Sequence, residues 1–263
     1  MKFKKVIVAA ALGLSINTAN AGVIDLGFLL DRSGSIGSTN WTTMTSGFAN
    51  ALDNLSLDSR YRVTFVGFDS NAFTMVAPTL IDSQTTLDTV KNTVATYSYL
   101  GGWTNTGGAF NQLMDEWSGF DLSMGSQLIN IATDGNPRCS SLTTCGNSTT
   151  IAASKAYALA EATVALEAGV DSISAEAIGN GIDTNFLLEL ISPDGALYQT
   201  GDPLPDPLVS GFVVEVESFA EFNSAIDSKL QNIVISTTPE PSVLALMAFG
   251  LAGLGFARRH RQS

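Results

Sequence analysis

Histidine is nearly absent: the 263-residue chain has one, His260, close to its carboxyl terminus. Without a histidine in its body the chain has no Ser/His/Asp or Cys/His pair for nucleophilic catalysis. With only two cysteines, Cys139 and Cys145, it also lacks the spaced Cys and His sets of a zinc site. Basic side chains are scarce, 13 Lys and Arg against 25 Asp and Glu, which makes nucleic acid and anionic membrane surfaces poor partners. Phosphate loops are missing too. Neither glycine-rich stretch carries the lysine of GxxxxGK[ST], and "GGWTNTGG" (101–108) does not read as GxGxxG. No internal repeat or low-complexity tract is evident, so the length predicts one α/β domain plus sorting segments.

The two ends read as those segments. Lys2, Lys4 and Lys5 precede an apolar run from Val6 to Ile16, and Ala19-Asn20-Ala21 follows as a small-x-small cleavage site. This is the pattern of a secretory signal over residues 1–21, with Gly22 beginning the mature chain. The alternative, an amino-terminal anchor, falls short of the roughly 20 apolar residues that span a bilayer. At the other end Pro239-Glu240-Pro241 leads into a charge-free stretch, Ser242 to Ala257, closed by Arg258, Arg259, His260 and Arg261. A basic cluster there would stay cytoplasmic and leave the domain outside. The three-part tail, residues 239–263, resembles the PEP-CTERM sorting signal of Gram-negative bacteria. The resemblance implies that an exosortase-type protease at the inner membrane removes the tail and releases the domain to the cell surface, the outer membrane or the exopolysaccharide matrix. A plain tail anchor and a core helix are the other readings. Between the segments, residues 22–238 hold seven basic and 24 acidic residues, a net charge of −17.

For an exported chain, "RCSSLTTCGN" predicts a disulfide between Cys139 and Cys145 as a structural staple, with a reactive thiol pair as the alternative. Along residues 22–238, strand-like and helix-like periods alternate. "VIDLGFLL", "YRVTFVGF", "QLINIAT", "SISAEAIG" and "GFVVEV" read as strands, and "FTMVAP" as an edge partner. Trp41, Met44, Phe48, Leu52 and Leu55 recur at helical spacing behind Ser38 and Thr39 as cap candidates. Shorter stripes follow at Leu87, Val90 and Val94, at Phe110, Leu113, Met114 and Trp117, and over Phe186 to Ile191. "TIAASKAYALAEATVALEAG" predicts a long Ala-rich helix, and Phe219, Phe222, Ile226, Leu230 and Val234 a closing one. Alternation of this kind predicts a doubly wound, mostly parallel sheet. Residues 193–211, with four prolines, read as a long loop.

In such sheets ligands collect at the carboxyl ends of the strands, and three strand ends carry oxygen-rich side chains. "LLDRSGSIGS" (29–38) puts Asp31 at the end of the first strand with Ser33 and Ser35 on the same side of an extended turn. "GGWTNTGGAF" puts Thr104 and Thr106 at a helix start, and "IATDGNP" puts Asp134 after a central strand. Taken singly, these are cap hydroxyls and a turn-forming Asp-Gly. Taken together, Asp31, Ser33, Ser35, Thr104 and Asp134 make a hard-cation site. Two carboxylates among five oxygen side chains favour six-coordinate Mg²⁺ over the acid-rich shell of Ca²⁺, with Mn²⁺ or Ca²⁺ as further candidates and a position left over for a partner's oxygen. Trp103 reads as a rim aromatic or a cover for the sheet, and Arg32 as a guide for a ligand carboxylate or a solvated charge.

The DxSxS of "DRSGS", the threonine of "TNTGG" and the "TDG" together resemble the metal-ion-dependent adhesion site of a von Willebrand factor type A domain, over about residues 23–235. The resemblance implies a Rossmann-like, mostly parallel sheet with one antiparallel edge strand, flanked by helices. It also implies that Asp31, Ser33, Ser35, Thr104 and Asp134 are the metal ligands, Thr104 being preferred to Thr106 as the first threonine of its stretch. The function expected is a non-enzymatic adhesion module that binds an acidic group of an extracellular protein or an exopolysaccharide. The alternative is a structural matrix protein or a metal-dependent hydrolase in which the cation is not the ligand-binding element.

Overall fold

The computed structural model describes residues 22–122, 124–191 and 195–237; the signal segment and the 239–263 tail lie outside them. The strands are β1 (Val23–Asp31), β2 (Tyr61–Phe68), β3 (Ala72–Leu80), β4 (Gly125–Thr133), β5 (Ser172–Ile178), β6 (Ala196–Gln199) and β7 (Phe212–Val216). The helices are α1 (Gly37–Ala51), α2 (Gln84–Ala95), α3 (Thr106–Trp117), α4 (Ile151–Glu167), α5 (Thr184–Leu190) and α6 (Phe219–Thr237). One sheet runs β3-β2-β1-β4-β5-β7-β6. Every pairing is parallel except β2 with the edge strand β3. This is the α/β fold the alternation predicts.

Strand β1 is central and is buried on both faces, which is why its sequence is apolar almost throughout. Ile24, Leu26, Phe28 and Leu30 enter one core beneath α1, α2 and α6, whereas Leu29 enters the other beneath α3, α4 and α5. Phe28 stacks on Phe65 with centroids 4.6 Å apart and meets Phe48 edge-on at 5.3 Å; Phe48 in turn reaches Phe222 at 5.4 Å. This aromatic column fixes α1 and α6 on the sheet, each ring contributing about 1.5–3 kcal/mol by burial. On the opposite face, a Cβ at Gly27 would stand 2.5 Å from the Leu113 side chain, so the glycine lets α3 approach β1 closely.

Two local expectations are corrected. Ser38 and Thr39 do not cap α1. The helix begins at Gly37 behind Ile36, with no side-chain cap, and both residues lie in its first turn, where their carbonyls accept from Thr42 and Thr43. Residues 193–211 are not all loop, since β6 pairs with β7 from Ala196 to Gln199. An edge strand that is mostly exposed has no apolar run to announce it.

Among the described residues no helix is long and apolar enough to cross a membrane. The core does hold buried charge. Lys229 of α6 is paired with Glu176 of β5 and donates to Asn130 of β4 at 2.5 Å, and Asn130 donates to Glu176 at 2.7 Å. Burial pushes the Lys229 pKa down, and the Glu176 carboxylate opposes that shift. Removing one partner strands the other in the core, a loss of about 3–5 kcal/mol, whereas apolar replacement of both is tolerated. Lys229→Met is therefore expected to destabilise by that amount, and Lys229→Met with Glu176→Leu to recover most of it, measured by urea denaturation. Equal stability of the single and double variants would show the pair to be uncoupled.

Candidate metal centre

β1 and β4 are neighbours in the sheet, so their carboxyl ends bring Asp31 and Asp134 together. Asp31 is fully buried. One of its oxygens accepts from the Ser33 amide at 2.8 Å and the other from the Thr133 hydroxyl at 2.6 Å. Beyond it the chain bends: the Ser33 and Ser35 hydroxyls lie 3.1 Å apart, and Ser35 donates to Asp134 Oδ1 at 2.7 Å. Two hydrogen bonds fix this turn against the segment between α2 and α3, Gly34 N to Gly102 O at 2.9 Å and Tyr99 Oη to Ser33 O at 3.1 Å. Thr104 is placed by its successor. The Asn105 amide donates to Asp69 O at 2.9 Å, and its side chain caps α3 by accepting from Gly108 N at 3.0 Å. Ser33, Ser35, Thr104 and Asp134 consequently line one cavity of about 400 Å³, with Trp103 and Arg138 at its edge. Asp31 does not line it and sits beneath.

Burial pushes the Asp31 carboxyl up to about 7, with Asp134 adding repulsion, against the pull of the Ser33 and Thr133 hydrogen bonds. Asp134 is likewise raised by burial and lowered by Ser35. Both carboxylates therefore lack compensation when ionised, and a divalent cation supplies that kind of charge. Among the described residues no cluster of three or more His, Cys, Asp or Glu occurs. A cation held here would thus depend on the hydroxyls of Ser33, Ser35 and Thr104, and an oxygen-only set suits a hard ion.

The von Willebrand factor type A domain model matches residues 25–227. The chain belongs to that family. The PEP-CTERM protein-sorting motif matches residues 237–262, marking an exported chain that is processed at the membrane. No curated protein matches the chain. Among solved structures, the type A fold recurs in proximal thread matrix protein 1 of the mussel byssus, 17% identical with a TM-score of 0.58 over 81% of this chain and 47% of that one. A further structure of the mussel protein has a zinc-occupied MIDAS motif. The pilus adhesin SpaC of Lactobacillus rhamnosus GG is 14% identical, with a TM-score of 0.58 over 82% of this chain and 31% of that one. The manganese-loaded TRAP protein of Plasmodium vivax is 22% identical, with a TM-score of 0.51 over 80% of this chain and 74% of that one. The present chain thus spans less than half the length of the mussel protein and of SpaC.

Within this type A domain, the side chains around the five expected positions take roles that spacing alone does not reveal. Arg32 neither lines the cavity nor is solvated. It is buried, donates to Asp69 at 2.5 and 3.1 Å, and lies 3.9 Å over the Phe73 ring, because alternation past β1 turns it away from Ser33. Thr106 is buried in the first turn of α3 and does not line the cavity. Thr133 was not among the expected site residues, yet it holds Asp31 from the neighbouring strand. Trp103 is a rim residue, 42% exposed.

Cys139 and Cys145 are joined in a disulfide that closes the loop after Asp134. Native protein is expected to show no free thiol and, after reduction, two, with a loss of about 2 kcal/mol in stability. Alkylation followed by intact-mass analysis, and urea denaturation with and without reductant, check both values.

Proposed function

We propose that this protein is an exported binding module of the cell surface or its surrounding matrix. It holds a divalent cation among Asp31, Ser33, Ser35, Thr104 and Asp134 and uses that cation to grip an acidic group of an extracellular protein or polysaccharide. The observation that carries the reading is the convergence of four hydroxyl and carboxylate side chains on one cavity above the buried Asp31. Mg²⁺ is the first candidate, with Mn²⁺ or Ca²⁺ next. The zinc-occupied MIDAS motif of the mussel protein and the manganese loading of the Plasmodium protein support a divalent ion in this fold. When bound, the ion supplies positive charge for a ligand oxygen. Thr133 and the Ser33 amide orient Asp31, and Ser35 orients Asp134.

On this reading the chain consists of a signal at 1–21, the type A domain at 22–238 and a sorting tail at 239–263 that an exosortase-type protease removes. Without a catalytic histidine, binding accounts for the site better than hydrolysis does. The likeness to a thread matrix protein favours one alternative, a structural matrix role in which the cation only holds the loops.

Material recovered outside the cell is expected to have the mass of a chain lacking both end segments; only full-length protein in the inner membrane would contradict this. In titration calorimetry, residues 22–238 are expected to bind Mg²⁺ or Mn²⁺. Asp134→Ala should abolish that binding with the fold intact, because mostly neutral oxygens cannot draw the ion from its water. Thr133→Val should weaken it about tenfold by freeing Asp31. Adhesion to the producing organism's matrix is expected to fall on adding EDTA and in Thr104→Ala. Adhesion insensitive to both would leave the matrix-structural role.

A further inference from the structure

Seven basic side chains lie among the described residues, and six are held in ion pairs. Arg32 pairs with Asp69, Arg60 with Asp58, Arg62 with Asp25, Lys91 with Asp53, Lys155 with Asp183, and Lys229 with Glu176. The seventh, Arg138, has no acidic partner among the described residues, although residues 22–238 carry 24 acids. It is exposed at the edge of the cavity that Asp134 and Thr104 line. Its backbone, by contrast, is tied on both sides. The Arg138 amide donates to Thr104 O at 2.8 Å, its carbonyl accepts from Gly146 N at 2.8 Å, and its neighbour Cys139 is in the disulfide. The cation is thus presented from a fixed base with its five donors unspent on protein acids.

Trp103 is the second feature of this rim. A Cβ built on Gly146 would stand 2.5 to 2.8 Å from Cε2, Nε1 and Cζ2 of the indole at once, so one face of the ring lies flat on Gly146. That glycine also has a φ of +80°. With one face covered and 42% of the residue exposed, the indole has its other face left for a ligand, and it lines the same cavity as Arg138.

We propose that Arg138 and Trp103 form a second anchoring point and that the ligand is an anionic saccharide. A pyranose carboxylate is gripped by Arg138, the C–H face of the same ring lies on Trp103, and an oxygen of an adjoining sugar reaches the cation. The cation part rests on the function proposed above; the Arg138 and Trp103 part does not. A guanidinium matches a carboxylate in two parallel hydrogen bonds, and an aromatic face suits the apolar side of a ring. An acidic peptide would use the first feature and leave the second idle.

The test uses the full chain in Mg²⁺ with three probes: tri-galacturonate, its methyl ester, and a short peptide with two acidic residues. Calorimetry gives affinities, and tryptophan fluorescence reports Trp103, because Trp41 and Trp117 are 2% and 1% exposed. Tri-galacturonate is expected to bind about tenfold more tightly than its ester, in line with a charge-assisted hydrogen bond, and to shift the fluorescence. Arg138→Gln should cut that preference severalfold with Mg²⁺ affinity unchanged, leaving only what the cation adds, and Trp103→Ala should weaken both saccharides. A preference undiminished by Arg138→Gln overturns the proposal, as does tighter binding of the peptide than of tri-galacturonate. If Mg²⁺ binds but no saccharide does, this inference fails and the metal site stands. If Mg²⁺ does not bind yet Arg138 still discriminates the two saccharides, the second anchoring point stands and the metal reading falls.

Discussion

Burying a carboxylate costs several kcal/mol unless donors or a cation meet its oxygens, and Asp31 is buried completely where β1 leaves the sheet. Its donors come from two directions, the Ser33 amide just ahead in the chain and the Thr133 hydroxyl from the adjacent strand β4. Meeting that requirement joins the ends of β1 and β4 and sets the bend that carries Ser33 and Ser35. Asp134 then follows Thr133 directly and receives the Ser35 hydroxyl. The site is therefore a consequence of how one desolvated charge is accommodated. Burial pushes the Asp31 carboxyl up to about 7 against the pull of those hydrogen bonds.

The scaffold keeps those groups in place by packing on both sides. The Phe28, Phe48, Phe65 and Phe222 column holds α1 and α6 against the sheet, and Leu113 reaches the backbone of Gly27 from the other face. Next to the site, Arg32 and Asp69 form a buried ion pair walled by Phe73, and the backbone of Asp69 positions Asn105 and so Thr104. A charge pair that makes no contact with the cavity thus contributes to its geometry. The disulfide does the same for Arg138, whose backbone bridges the Thr104 loop and Gly146.

The cavity is lined by the hydroxyls of Ser33, Ser35 and Thr104, by Asp134, and by Trp103 and Arg138, whose guanidinium has no acidic partner among the described residues. Such a site selects through charge and directed oxygen contacts, with little apolar area to supply affinity.

The sequence by itself determined the alternation of elements, the mostly parallel sheet, the cysteine pair and the oxygen-rich strand ends, whereas the antiparallel edge and the preference for Thr104 were implied by the resemblance to a type A domain. The first group is written in local periodicity or short spacing. Burial on both faces leaves continuous apolar runs such as that of β1, and strand ends fall where those runs stop. Tertiary structure alone decided what each neighbour does. Thr133 is an ordinary strand threonine until β1 lies beside it, Arg32 is a solvated charge until Asp69 and Phe73 close over it, and the exposed edge strand β6 has no apolar pattern to betray it. Likewise Thr104 and Thr106 stand two residues apart in one motif, and only the packing of α3 turns the first to the cavity and the second into the protein. Sequence spacing specifies which side chains share a face; which strands and loops meet across the sheet is set by packing between residues far apart in the chain.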